Sequence, residues 1–210
     1  LREKKSKGSL FIVSAPSGSG KTTLCKMLVS RLANLKFSIS YTTRSARPGE
    51  INDRDYTFVS RKDFLRMTDA GEFIEWAEVH GELYGTSGAR IRELLDAGSD
   101  VILDIDTQGA MQIKKKYDKG VYIFILPPCL EALRKRLENR MTDSREDIGR
   151  RLKRSVIEIR SFREYDYVII NDILENALRE FEAIIISHRV SAELIDPFWI
   201  EKTFLEEEEN

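Results

Sequence analysis

Residues 10–23 read LFIVSAPSGSGKTT, and the order of residue types in that stretch sets the fold. Leu10 to Ser14 is a short apolar run with branched side chains, the composition of a buried strand. Gly18 and Gly20 then allow a tight turn in which successive N–H groups point inward. The amphipathic pattern opening near Lys21 starts a helix whose N-terminus adds partial positive charge at the same place. Strand, glycine loop and helix in that order make a receptacle for an anion. Lys21 is spaced to set its ammonium against the terminal phosphates of a nucleoside triphosphate, and Thr22 to offer its hydroxyl to a Mg²⁺ ion bridging them, with Thr23 as a second hydroxyl. A plain glycine turn would need neither lysine nor threonine at the helix start. The generic loop pattern has glycine where this chain has Ala15, one departure in an otherwise intact context.

Residues 101–105, 122–126 and 167–170 are further short runs of β-branched and aromatic residues that read as strands. Apolar residues at three- and four-residue spacing predict helices over 22–35, 107–116, 131–139 and 174–192. Strands alternating with helices predict an α/β fold, a parallel sheet flanked by helices of the P-loop NTPase type. Residues 38–90 break the alternation with short strand-like pieces around one helix at 62–70, which predicts an inserted subdomain. Residues 134–163 are densely charged and helical apart from a break at MTDS, 141–144, as in a mobile lid or a solvated helix pair. The expected core is therefore 1–37, 91–133 and 164–210, with 38–90 as the insert and 134–163 as the lid.

Composition bounds the function. A chain of 210 residues that is 41% hydrophobic supplies one substantial core. Its 34 basic and 35 acidic residues nearly cancel, so no global field draws it to nucleic acid or an anionic membrane. The basic stretches also alternate with acids and lack an aromatic platform for bases. Cys25 and Cys129 lack metal-ligand spacing, which argues against a disulfide framework or a zinc site and for a reducing, cytoplasmic compartment. The apolar runs LFIVSAP and VYIFILPP fall well short of the roughly 20 residues of a membrane span, and LREKKSKGS lacks the apolar core of a signal. The basic start and the glutamates at 206–209 read as solvated tails.

In VILDIDTQG, 101–109, a strand ends in Asp104 and then Asp106, which a parallel sheet would bring beside the glycine loop. Asp104 is a candidate to hold Mg²⁺ through water, since this ion keeps several waters and takes few protein ligands. Asp106 is placed to cap the next helix. The stretch SYTTRSARPGEINDRDY, 40–56, sets Arg44 and Arg47 near Ser40, with Tyr56 following a Pro-Gly turn. Two guanidinium forks and a phenol suit a phosphate group. FIEWAEVHGELYGTSG, 73–88, adds Glu75, Tyr84 and Thr86. Guanine offers adjacent donors at N1 and N2 and an acceptor at O6, so a carboxylate and a hydroxyl match it, whereas adenine would present an acceptor to the carboxylate. Glu75 equally suits an exposed strand position, and Trp76 a place in the core.

SAPSGSGKTT, SYTTRSARPGE, Asp55 with Tyr56, EWAEVHGELYGTS, ILDIDTQG, the arginines of the charged segment and IINDI occur in the order and at the approximate spacings of the bacterial guanylate kinases. The chain resembles that family from its first strand to its last helix, and Ala15 agrees with the family's loop. The resemblance implies ATP and GMP as partners, Mg²⁺ as cofactor and phosphoryl transfer between the nucleotides. It implies an ATP-binding loop of Ala15, Pro16, Ser17, Gly18, Ser19, Gly20, Lys21, Thr22 and Thr23, with Asn171 near adenine. Ser40, Glu75, Thr86 and Asp106 would contact guanine, while Arg44, Arg47, Tyr56 and Tyr84 would hold the GMP phosphate. Arg140 and Arg151 match arginines that reach the transferring group when the lid closes, and with Lys21 form the expected catalytic set. Met141 stands where the family usually has glycine, and Thr86 where it usually has serine.

An ionised phosphate acceptor needs no general base, so neither His80 nor His188 is expected to be catalytic. Two other readings share these residues: a P-loop kinase with a different acceptor, and a non-catalytic module that binds phosphopeptides through the same arginines and tyrosines. Such a module has no use for Lys21 and Thr22, so the retained GKTT favours an enzyme. The oligomeric state is left open.

Overall fold

The computed structural model describes residues 7–79, 81–117, 119–139 and 145–205. The chain enters through β1 (Leu10–Ser14), α1 (Lys21–Arg31) and β2 (Leu35–Phe37), then leaves the main sheet. There it forms β3 (Tyr41–Thr42), β4 (Thr57–Phe58), α2 (Arg61–Asp69), β5 (Phe73–Val79) and β6 (Glu82–Ser87). It returns through α3 (Gly88–Asp96), β7 (Asp100–Asp104), α4 (Thr107–Lys116) and β8 (Val121–Leu126). The remainder is α5 (Leu130–Glu138), α6 (Arg145–Ile159), β9 (Tyr167–Ile170), α7 (Leu174–Arg189) and α8 (Pro197–Phe204).

The main sheet has five parallel strands in the order β2-β7-β1-β8-β9. Every residue of β1 is buried, as a central parallel strand with helices on both faces requires. Its alternation divides the core: Phe11 and Val13 pack with Leu24, Leu28, Phe181 and Ile185 from α1 and α7. Leu10 and Ile12 pack on the other face with Ile91, Leu95 and Ile113 from α3 and α4. The smaller sheet has four strands in the order β4-β3-β6-β5, with β3 against β6 and β6 against β5 antiparallel. Phe64 and Met67 of α2 cover it, meeting Phe73 and Leu83.

Helix α1 ends earlier than its apolar spacing predicts. Leu32 is already extended, Asn34 turns the chain at φ 59, and Leu35 starts β2 opposite Asp100. Asparagine tolerates the left-handed region, and burying Leu35 at the sheet outweighs another helical turn. The helix expected to run to 192 stops at Arg189, with Ala192 in a short 3₁₀ turn. Ile105 lies just beyond β7. Helices α3 and α8 are additions to the expected set. Among the described residues no helix is long and apolar enough to cross a membrane, and Cys25 and Cys129 are free.

A shielded ion pair fixes the far end of the sheet. Asp100 Oδ1 accepts from the Ser9 N–H at 2.7 Å and Oδ2 accepts from Arg189 Nε at 2.7 Å, while Arg189 Nη2 reaches the Ala33 carbonyl at 2.9 Å. The carboxylate thereby joins β1, β7, the turn before β2 and the end of α7. Removing one partner strands the other charge away from water, so Arg189→Met should lower unfolding stability by about 3 kcal/mol. Urea titration checks this; a midpoint equal to that of the wild type would mean that the pair anchors nothing.

Candidate active site

The glycine loop sits between the C-terminal end of β1 and the start of α1. Gly20 caps α1 at φ 88, and Gly18 turns at φ 96. Asn171, buried just past β9, donates from Nδ2 to the Ser19 carbonyl at 2.7 Å, and a Cβ at Gly20 would come within 2.5 Å of that nitrogen. Position 20 therefore requires glycine for its backbone angle and for space alike. Arg136 of α5 braces the assembly from outside, donating to the Asn171 carbonyl at 2.8 Å.

Lys21 and Thr22, the first residues of α1, reach across to the end of β7. Lys21 Nζ donates to the Ile105 carbonyl at 2.5 Å and pairs with Asp104 Oδ1 at 2.7 Å. Thr22 Oγ1 donates to Asp104 Oδ2 at 2.6 Å. Asp106 caps α4, its Oδ1 accepting from the N–H groups of Gln108 and Gly109 at 2.8 and 2.9 Å. The cavity over the loop, about 310 Å³, is faced by Lys21, Arg47, Arg151, Arg154 and Glu158. The hydroxyls of Ser19 and Ser155, on its lining, are buried with no hydrogen-bond partner among the described residues. A glycine loop leading into a helix start, with several cations around it, suits a polyanion.

A second cleft of about 730 Å³ lies between this loop and the small sheet, walled by Ser40, Arg44, Arg47, Glu50, Tyr56 and Asp104. Thr22, Arg47 and Arg151 line both spaces. Arg44 is gripped by Glu50 through a two-pronged pair, Nη2 to Oε1 at 2.9 Å and Nη1 to Oε2 at 3.0 Å. Glu50 Oε2 also accepts the Arg47 N–H at 2.7 Å. The Arg44 guanidinium holds the Glu50 carboxyl below its usual range and lies 5.3 Å from the centre of the Tyr56 ring. Tyr84 meets Tyr56 edge-on at 6.0 Å. Burial pushes the Tyr56 phenol up to about 12, so it remains a hydrogen-bond donor at neutral pH.

Glu75 lies on β5 directly opposite Thr86 of β6. Only 4% exposed, it accepts from Thr86 Oγ1 at 2.5 Å. Burial, reinforced by the nearby negative charge of Asp106, raises its carboxyl to about 7 against the pull of the Thr86 hydrogen bond. A Cβ at Gly109 would sit 2.5 Å from Glu75 Oε2, so the absent side chain at 109 makes room for this carboxylate at the first turn of α4.

A family model described as guanylate kinase matches residues 7–188. The chain belongs to the guanylate kinase family. The guanylate kinase of Geobacter sulfurreducens is 53% identical over 185 residues, covering 88% of this chain and 91% of that protein. That of Caldanaerobacter subterraneus subsp. tengcongensis is 44% identical over 185 residues, covering 88% and 90%. The crystal structure of guanylate kinase from Anaplasma phagocytophilum superposes with a TM-score of 0.80 at 33% identity, over 96% of this chain and 97% of that one.

In this guanylate kinase chain, the described site residues expected from sequence gather at the loop, along the cleft and at the foot of α4. The loop from Ala15 to Thr23, with Asp106 and Arg151, surrounds one cavity, and Ser40, Arg44, Arg47, Tyr56 and Asp104 wall the cleft beside it. Glu75 and Thr86 form a buried pair at the foot of α4, and Tyr84 backs Tyr56. Asn171 is engaged behind the loop with the Ser19 carbonyl. Arg140, with Met141, lies outside the described residues, as does His80. His188 packs edge-on against Phe11, toward the opposite end of β1 from the loop. The structure decides the alternatives for two neighbours: Glu75 is buried, and Trp76 is 39% exposed rather than in the core.

Glu50 and Gly109 are absent from the sequence-derived set. An acid just after the Pro-Gly turn was the available sign of the first; nothing local announces that position 109 faces β5. The buried acid has a consequence for stability. Its carboxyl is near 7 in the folded chain against an ordinary 4.5, so the folded state binds the extra proton and the stability it confers is lost as pH rises through 7. Relative to the wild type, Glu75→Gln should gain about 2–3 kcal/mol between about pH 4.5 and pH 8. Denaturant midpoints at both values test this, and parallel curves would overturn the raised carboxyl.

Proposed function

We propose that this guanylate kinase moves the γ-phosphoryl group of ATP onto GMP by direct in-line transfer, with the triphosphate over the glycine loop and the GMP phosphate between Arg44, Arg47, Tyr56 and Tyr84. One observation supports the reading: Thr22, Arg47 and Arg151 line both cavities, so the two proposed nucleotide sites adjoin at the end of the loop. The acceptor is already nucleophilic, since a phosphate monoester with a second pKa of about 6 is largely ionised at neutral pH. The chain's work is then alignment and charge neutralisation.

In this proposal Lys21 exchanges Asp104 for the β- and γ-phosphates, and Arg151, with Arg140, stabilises charge on the group in transit. Asn171 contributes near adenine and holds the loop through Ser19. The Thr22 hydroxyl and the Asp104 carboxylate, 2.6 Å apart at the cleft, fit Mg²⁺, Thr22 directly and Asp104 through water, because this ion takes few protein ligands. When bound with ATP, Mg²⁺ supplies positive charge to the β- and γ-oxygens. In the same proposal ionised Glu75 accepts from guanine N1 and N2, Thr86 turns its hydroxyl from Glu75 to donate to O6, and Ser40 and Asp106 complete the guanine contacts. Residues 38–90 form the GMP-binding subdomain. Residues 134–163 form the lid, which carries Arg151 toward the core formed by 1–37, 91–133 and 164–210 and excludes water on closing. Free thiols at Cys25 and Cys129 suit a cytoplasmic enzyme.

The test is ADP formation from Mg²⁺-ATP with GMP, AMP, UMP, dTMP or no acceptor. GMP alone should support turnover, and Lys21→Ala should lower kcat/KM by about a hundredfold or more. Turnover with a different monophosphate would overturn the guanine assignment while leaving the kinase, and none with any acceptor would favour a binding module.

A further inference from the structure

Strand β5 carries Glu75 and lies at the edge of the small sheet, paired to β6 on one side. Edge strands leave alternate N–H and C=O groups without a strand partner. Here α4 of the main layer takes that place. Gln112 Oε1 accepts from the Trp76 N–H at 3.2 Å and Gln112 Nε2 donates to the Trp76 carbonyl at 2.8 Å. One turn further along the helix, Lys116 Nζ donates to the Ile74 carbonyl at 3.2 Å. Positions 112 and 116 share a helix face, and their bonds grip the backbone immediately before and after Glu75. The primary amide of Gln112 offers one acceptor and one donor side by side, the pattern a neighbouring strand would present.

The same helix begins at Asp106, whose carboxylate caps it, and its Gly109 leaves room for Glu75. The two acids proposed to read guanine thus sit on different layers, Asp106 on the main one and Glu75 on the inserted sheet. Their spacing depends on how β5 rests on α4. We propose that Gln112 is a positioning residue for guanine recognition, acting as a surrogate strand that locks β5 to α4 and so fixes Glu75 relative to Asp106. It touches neither nucleotide, and the inference rests on the guanine assignment made above.

The variant Gln112→Leu keeps a side chain of comparable bulk, one atom shorter, and deletes both bonds. With two neutral hydrogen bonds lost beside Glu75, KM for GMP should rise about tenfold. KM for ATP and kcat should stay within about twofold, because the glycine loop and its partners on β7 and β9 are untouched. The preference for GMP over IMP, which lacks the 2-amino group, should narrow, since a displaced carboxylate no longer meets N1 and N2 together. A merely structural role would lower the unfolding midpoint and degrade both substrates alike, and that result would overturn the proposal. Gln112→Glu, which can accept from Trp76 N–H but cannot donate to its carbonyl when ionised, should give the same split if the leucine variant fails to fold. Glu75→Gln run alongside separates the two inferences. If Glu75→Gln raises KM for GMP and neither Gln112 variant does, the clamp is wrong. If Glu75→Gln leaves KM for GMP unchanged, the guanine assignment fails first.

Discussion

The tie between Lys21 and the end of β7 organises everything around it. The ammonium spans the Ile105 carbonyl and the Asp104 carboxylate, while Thr22 holds the other oxygen of Asp104. Because β1 and β7 are parallel neighbours, their C-terminal ends fall side by side, and the loop leaving one can lean on the residues leaving the other. That is a property of parallel sheets: neighbouring strands deliver their following loops to the same edge. Without β7 as neighbour, the first turn of α1 would have no carboxylate to orient it and the loop no fixed wall. The opposite brace, Asn171 against Ser19, comes from the end of β9 by the same rule. The loop is therefore held from both sides by strands distant in sequence, which is how a segment rich in glycine keeps one shape.

The inserted sheet works under a different constraint. Its strands are short, and β3 and β4 have only two residues each, too little to fix a site by backbone pairing alone. Side chains supply the missing order. Glu50 holds both Arg44 and the Arg47 backbone. Arg90 stacks on Tyr41 and donates to Thr57 Oγ1. Gln112 and Lys116 hold β5 from outside. The large sheet positions its residues by hydrogen-bonded ladders and a divided hydrophobic core, and the small one by charged and amide side chains at its margins. The second arrangement costs more side-chain entropy per contact.

How much of this was legible in the sequence follows from the same contrast. The stretch LFIVSAPSGSGKTT announces its strand, turn and helix because each signal is local: buried branched residues, two glycines, a lysine and a threonine at fixed offsets. Strands at 10–14 and 167–170 match to the residue. The helix over 22–35 failed at its end because Leu35 has the same apolar character in a helix or at a sheet edge, and only β7 decides between them. Arg44, Arg47 and Tyr56 could be picked out together from their close spacing in the sequence, and the structure sets all three along one cleft. The burial of Glu75 was not, since an alternating strand leaves it equally suited to solvent until α4 packs beside it. Gly109 and Gln112 acquire their significance solely from a partner more than thirty residues earlier in the chain, which no local pattern encodes.

The charges around the loop and cleft are balanced within the chain, and the balance bears on how a polyanion would be held there. Lys21 faces Asp104 and Arg44 faces Glu50, each pair largely shielded from water. An unpaired cation in such a place would be expensive to desolvate, so the carboxylates keep the cations oriented before any phosphate arrives. A phosphate that displaces or joins these acids meets donors already aimed, and little reorganisation remains for the moment of transfer. Glu75 is arranged in the opposite sense. It is a buried acid whose desolvation outweighs the Thr86 hydrogen bond and the more distant charges of Lys21 and Lys116 and raises it to about 7, and a donor pair on an incoming base would offset what that desolvation costs. On the proposed assignment, cations held by acids on one side of the cleft and a buried acid on the other would give the two ends of a nucleoside monophosphate different partners.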